Sequence, residues 1–412
     1  MTAALRPWTG DAADYLAGSA QMLAELEPGV RAFTHVDVDA ARTAATRAVG
    51  PLAGMPVAVK EIIDVDGMPV TFGSIVFAGR IATEDAEAVA RLRRAGAVVV
   101  GMTTTTPFAC GTTTGTDNPH RPGHTPGGSS AGSAAAVGAG MVPVALASQS
   151  QASTLRPASY CGAWGFKPSH LRLPRAGMHL LADVLDDLGL IAASLDNLDA
   201  VFGVLAEPSR VPVAPSGPLR VGRLRLDDGG LPRRATVAAL DDLLSRLAGP
   251  DVTVATDTPV LAETDRLLAG SGRTCFDLFA AQSASRLAHY AAAGETDPRL
   301  REMVGHAAAL GADGAARALA RRDRLRGAWA QLAEHYDVLV ALATTNPAPA
   351  GHAGTGCRRL PATSSLLGIP ALTAPWLTVD GLPQGVQLLG FEGRDEELLA
   401  AARVLAETGV NA

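Results

Sequence analysis

The sequence predicts an α/β protein built on a mixed, mostly parallel central sheet covered by helices on both faces. Three observations carry this expectation. Amphipathic helical stretches alternate with short, fully apolar strands, as in "TEDAEAVARLRRAGAVVVGM" at 83–102, a pattern typical of strands buried on both sides. The chain has 412 residues, 47% of them hydrophobic and 18% charged, enough to bury a large core. Strand patterns also return near 220 and 340 after long helical stretches, which points to chain rejoining one sheet. Length alone suggests two or three domains. The returning strands favour a single α/β domain over residues 1–412, with a helical elaboration at about 230–336.

The elements follow in order. A helical stretch at about 12–27 leads into "RAFTHVDVDAARTAATRAVG", a short strand followed by an Ala-rich helix. "PVAVKEIIDV" at 56–65 is a β-branched run interrupted by Lys60. The helix within 83–102 has acidic residues at its start and arginines near its end, as the helix dipole favours, and Gly96 closes it before the strand "AVVVG". Residues 101–170 form a Gly/Ser/Thr/Ala-rich tract of low charge. "SAAAVGAGMVPVALAS" within it has the pattern of a buried helix followed by a strand, so the tract reads as closely packed interior and not as a linker. "EPSRVPVAPSGP" at 207–218 is the clearest connector, and the strand "LRVGRLRL" follows it. From 232 to 336 the pattern is nearly all helical. "YDVLVALATTNPAPAG", "SSLLGIPALTAPW" and "GLPQGVQLLGF" supply strands and turns, and "DEELLAAARVLAE" closes with a helix.

Composition excludes several function classes. A net charge of −6 with no basic block offers no footprint for nucleic acid or an anionic membrane, and 4% aromatic residues provide few stacking platforms. No run approaches 18 uninterrupted apolar residues, and the N-terminus lacks the apolar core of a secretory signal. Cysteines 110, 161, 275 and 357 are widely spaced, which fits reduced thiols in the cytoplasm. The nine histidines include no metal-binding spacing. A cytoplasmic enzyme without metal or organic cofactor is therefore expected.

Two serine clusters remain. "PGGSSAGSAAAVGAGM" at 126–141 contains Gly128-Ser129-Ser130-Ala131-Gly132, a match to the G-x-S-x-G elbow that would make Ser130 a nucleophile. The elbow needs an apolar strand running into the turn, and "NPHRPGHTP" is not one. The same loop lacks the G-K-[ST] ending of a phosphate loop. The second cluster, "SQSQASTLRPASYCG" at 148–162, holds Ser153 with no histidine or carboxylate within ten residues. Taken from the residues alone, Ser129, Ser130 and Ser153 are also ordinary turn or capping serines, and Lys60 an ordinary charge.

Three long segments decide between these readings. "GMPVAVKEIIDVDGMPVTFGS" (54–74), "NPHRPGHTPGGSSAGSAAAVGAGMVPVALAS" (118–148) and "STLRPASYCGAWGFKPS" (153–169) stand in the order found in the amidase signature family, which the chain resembles from about residue 20 to its end. The resemblance implies that fold and a Ser-Ser-Lys triad, with Ser153 as nucleophile, Ser129 as bridging hydroxyl after a cis peptide bond, and Lys60 as base. It also implies an oxyanion site made by the backbone N–H groups of Ser150, Gln151, Ala152 and Ser153. The family usually has Gly-Gly or Ala-Gly where this chain has Gln151-Ala152, and Ser148-Gln149-Ser150 replaces a Thr-rich run. A side chain at 151 or 152 costs energy if that backbone needs positive φ. Asp186 matches a position that supports the site, Arg156 is expected to anchor its loop, and Trp376 with the helices of 270–330 is expected at the substrate entrance.

Chemistry is consistent with the lysine's assigned role. To be half neutral at pH 7 its pKa must fall from about 10.4, which takes about 4.6 kcal/mol at ~1.36 kcal/mol per pH unit. Burial supplies up to ~3–5 pH units of such lowering, and Lys60 sits between "VAV" and, after Glu61, "II". The expected function is hydrolysis of a small-molecule carboxylic amide. Three alternatives stand beside it: the glutamine-amidase subunit of an amidotransferase, an amide-forming acyltransferase, and a non-catalytic binding scaffold. A homodimer is compatible with the sequence but not specified by it.

Overall fold

The computed structural model describes residues 3–206, 217–226 and 232–410. In chain order these form α1 (Ala12–Val30), β1 (Phe33–Val36), α2 (Val38–Ala45), β2 (Pro56–Lys60), α3 (Glu87–Arg94), β3 (Val98–Thr103), α4 (Ala131–Gly138), β4 (Val144–Gln149), α5 (Leu155–Tyr160), β5 (Trp164–Lys167), β6 (Asp187–Ala192) and α6 (Leu195–Leu205). After the connector come β7 (Leu219–Arg223), α7 (Arg234–Leu247), β8 (Val252–Ala255), α8 (Pro259–Leu268), α9 (Ser271–Ala292), α10 (Pro298–Gln331), β9 (Val338–Leu342), α11 (Arg359–Leu367), β10 (Ala371–Val379), β11 (Leu382–Leu389) and α12 (Asp395–Leu405).

The described strands form one 11-stranded sheet in the order β1-β3-β2-β4-β6-β5-β10-β11-β9-β7-β8. The sheet is mixed, but "mostly parallel" needs correcting. Parallel pairing is confined to two blocks, β3-β2-β4 and β9-β7-β8. The remaining neighbours, β1–β3 and the whole run from β4 through β6, β5, β10 and β11 to β9, are antiparallel. An apolar strand reports burial on both faces and not direction, which is why the sequence pattern misled here. The β10–β11 hairpin turns at Asp380-Gly381, both at positive φ (54° and 71°), the backbone that a two-residue primed turn requires.

Three further expectations are adjusted. The strand at 56–65 stops at Lys60, where the chain turns with the Ile62 and Ile63 N–H groups both donating to the Lys60 carbonyl. The stretch 232–336 is not all helix, because β8 pairs with β7 at the sheet edge. The connector expected at 207–218 lies outside the described residues apart from its last two positions.

Side-chain alternation divides the core between the two faces. Val57, Val59, Val144 and Leu146 join one apolar cluster, while Ala58, Ala145 and Ala147 join the other with Ala134–Val137 of α4. Lys60, two residues after Ala58, therefore follows Ala58 toward the face that α4 covers. Close contact there depends on small residues: a Cβ on Gly132 would stand 2.1 Å from the Ala32 carbonyl oxygen and 2.4 Å from the Thr104 nitrogen.

Candidate active site

Lys60 ends β2 fully buried, and its Nζ touches hydroxyls from three directions. Ser129 Oγ lies 2.7 Å away, Ser148 Oγ 2.8 Å and Ser130 Oγ 3.0 Å. Ser129 and Ser130 come from the turn entering α4, and Ser148 from β4, which runs parallel beside β2. The peptide between Gly128 and Ser129 is cis, as the family resemblance implied. Among the described residues no carboxylate bonds to the amine. Burial pushes the Lys60 ammonium well below the ordinary lysine range, and the charge of Asp186 opposes this in part. Burial also raises the Asp186 carboxyl, which the Ser150 hydroxyl and the Ala182 and Leu181 N–H groups pull the other way. Burial thus draws both groups toward their neutral forms. A neutral amine has two N–H donors and one lone pair, enough to engage all three hydroxyls if one of them donates to it.

Ser153 sits where β4 gives way to α5, partly exposed in a cleft that Ser129, Ser150, Gln151 and Ala152 also line. The cleft is narrow, with a cavity volume of about 40 Å³. The backbone N–H groups of residues 150–153 donate to nothing among the described residues. The turn that presents them is tied from below by Gln149, whose Oε1 accepts from the N–H of Thr154 (3.0 Å) and Leu155 (3.1 Å). Gln149 Nε2 in turn donates to Ser365 Oγ at 3.1 Å, fixing the carboxamide. Neither Gln151 nor Ala152 has positive φ, so replacing glycine there introduces no backbone strain. The Gln151 Oε1 is buried at the cleft without a hydrogen-bond partner among the described residues.

The structure brings Lys60 and Ser129 together and places Ser153, Ser150, Gln151 and Ala152 on the adjoining cleft. It does not join Ser129 to Ser153 by a hydrogen bond among the described residues. Ser130, the elbow candidate, is fully buried on Lys60 and on the Ser148 backbone and does not line the cleft. Ser148 and Gln149 were missed as site residues, although polar side chains in a fully apolar strand were a usable signal. Arg156 anchors its loop as expected, donating to the carbonyls of Gly356 (3.0 Å) and Gly128. Burial pushes its guanidinium down to about 10, so it stays charged at neutral pH. Trp376 does not line the cleft and instead packs edge-on against Trp164 at 5.8 Å. Phe279 of α9 and Arg299 and Met303 of α10 also line the cleft. All four cysteines are free thiols, no cluster of metal-ligating side chains exists among the described residues, and no described helix is long and apolar enough to cross a membrane.

Known proteins share this sequence pattern and this architecture. A protein-family model described as "Amidase" matches residues 19–399. The chain is 31% identical to AtzE, named as part of the 1-carboxybiuret hydrolase of Pseudomonas sp. (strain ADP), over 92% of this chain and 89% of that protein. It is 36% identical to one component of the glutamyl-tRNA(Gln) amidotransferase of Chloroflexus aurantiacus, a match spanning 44% of this chain and only 40% of that relative. A solved structure described as "Crystal structure of amidase" superposes with a TM-score of 0.83, with 27% identity and 96% coverage of each chain.

Proposed function

Because the chain belongs to the amidase family, we propose that it hydrolyses a small carboxylic amide through an acyl-enzyme on Ser153. The observation that carries this reading is the buried Lys60, held by hydroxyls and not by carboxylates, directly behind the cleft that contains Ser153. Ser153 Oγ attacks the amide carbon, passing its proton to Ser129 as Ser129 passes its own to Lys60 Nζ. The carbonyl oxygen becomes an oxyanion facing the free N–H groups of residues 150–153; one such donor contributes about 2.7–4 kcal/mol. The C–N bond then breaks, and the leaving amine takes the proton back through Ser129. Water attacks the Ser153 ester by the same relay and releases the acid. The open Ser129–Ser153 link is in keeping with sites that tighten only around substrate.

The test is fluorophosphonate labelling with the adduct mapped to its peptide. An adduct on Ser153 that fades in Lys60→Ala and Ser129→Ala supports the triad, and an adduct on Ser130 overturns it. A second reading, the amidase component of an amidotransferase, is favoured by the similarity to relatives that are named as parts of larger enzymes. A protein partner copurifying with the chain would support it. Four free thiols fit the cytoplasm as the compartment in either case.

A further inference from the structure

From two arginines that line the same cleft as Ser153 we infer that the substrate amide carries an anionic group, such as a second carboxylate, bound by Arg299 and Arg358. The inference rests on the amidase reading and names the substrate class of that same cleft.

Arg299, in the first turn of α10, and Arg358, just before α11, both line the cleft with Ser153. Both guanidinium groups are held against one ring: the Arg358 Cζ is 4.7 Å and the Arg299 Cζ 5.9 Å from the centroid of Phe276. Two like charges at one aromatic ring repel unless an anion lies between or beside them. Nearby carboxylates are already committed. Asp277 Oδ1 accepts from Arg273 Nε and His306 Nε2, each at 2.8 Å. Asp297 accepts from the Thr112 N–H and hydroxyl and from the Arg299 backbone N–H. Glu295 accepts from the Ser74 hydroxyl and from the N–H groups of Thr296 and Asp297. Among the described residues Arg299 reaches only Glu302, at 3.8 Å on an exposed side chain, and Arg358 forms no ion pair.

The third cleft arginine is differently employed. Arg156 spends Nη1 and Nη2 on backbone carbonyls, so it shapes the loop and leaves anion binding to the other two. In the same cleft, the 150–153 N–H groups await the reacting carbonyl. A linear substrate with an amide at one end and a carboxylate at the other spans these two features, and a guanidinium matches a carboxylate by paired N–H donors.

The experiment compares kcat/KM for succinamate, glutaramate and adipamate with butyramide, valeramide and hexanamide, matched in chain length. At one or more lengths the anionic amide is preferred about tenfold or more, the size of one charge-assisted hydrogen bond. That preference falls about tenfold in Arg358→Gln and in Arg299→Gln and weakens as salt is raised. A ratio near one at every length, or a preference that survives both substitutions, overturns the inference while leaving the amidase reading in place. If no amide is turned over, calorimetry of the three anions on Ser153→Ala decides independently of catalysis. Binding that is lost in Ser153→Ala/Arg358→Gln and Ser153→Ala/Arg299→Gln supports the anion site, and absence of binding at every length overturns it. Failure of the amidase reading alone is recognised by intact anion binding with no fluorophosphonate adduct on Ser153.

Discussion

Lys60 Nζ and Ser129 Oγ, 69 residues apart in sequence, lie 2.7 Å apart in the buried floor of the cleft. Ser129 is the lysine-bound hydroxyl that also lines the cleft, and in the proposed mechanism it relays the Ser153 proton. Ser129→Ala should lower kcat by about 10²–10⁴, the range for a positioned proton-transfer group, with KM little changed. Steady-state kinetics check this, and a KM-dominated loss would assign Ser129 to binding.

The pH dependence follows from Lys60. In the proposed relay acylation needs the neutral amine, so kcat/KM should fall as pH drops through the lysine's pKa, which burial holds below the ordinary lysine range. Stability has the matching sign. In the unfolded chain Lys60 titrates near about 10.4, so below that value and above its folded pKa the unfolded state binds the extra proton. Stability therefore rises with pH through that window, with a slope of at most about 1.36 kcal/mol per pH unit. Urea unfolding at several pH values, for the natural chain and Lys60→Met, should show this slope in the former and its loss in the latter.

Gln149 supports the turn that carries Ser153 without bonding to Ser153 itself. In Gln149→Ala the Thr154 and Leu155 N–H groups lose their acceptor, which should cost about 1–3 kcal/mol per unsatisfied group and loosen the 150–153 turn. Activity should fall mainly in kcat. Gln149→Glu keeps the acceptor but not the donor to Ser365, so partial recovery of kcat distinguishes positioning from bulk destabilisation.

Arg156 joins the Gly128 and Gly356 carbonyls, one of them in the peptide unit before Ser129. Arg156→Lys offers a single point charge in place of the planar fork and should satisfy only one of these carbonyls. A lower Tm together with weaker fluorophosphonate labelling of Ser153 is expected. Unchanged labelling would separate this loop from the relay.

Much of this site was legible in advance, for a local reason. The apolar flanks of Lys60, the helix-then-strand pattern at 133–148 and the hydroxyl-rich turn before α5 are all properties of short segments, and short segments set strand and helix patterns. The change from glycine to Gln151-Ala152 was legible too, but its meaning was not. Whether a side chain is tolerated there depends on the φ angles, which are not positive.

By itself the sequence determined the α/β class and the family membership, and it singled out Lys60, Ser129 and Ser153 as the candidates of the proposed relay. Only the tertiary structure decided the antiparallel centre of the sheet, the addition of Ser130 and Ser148 around Lys60, and the meeting of Arg299 and Arg358 at Phe276 in the cleft that Ser153 lines. The physical reason is separation along the chain. Periodicity and turn chemistry act over a few residues, whereas those encounters join positions about 60 to about 200 residues apart. Strand order and helix packing fix such encounters, and both are settled by burial of the whole core.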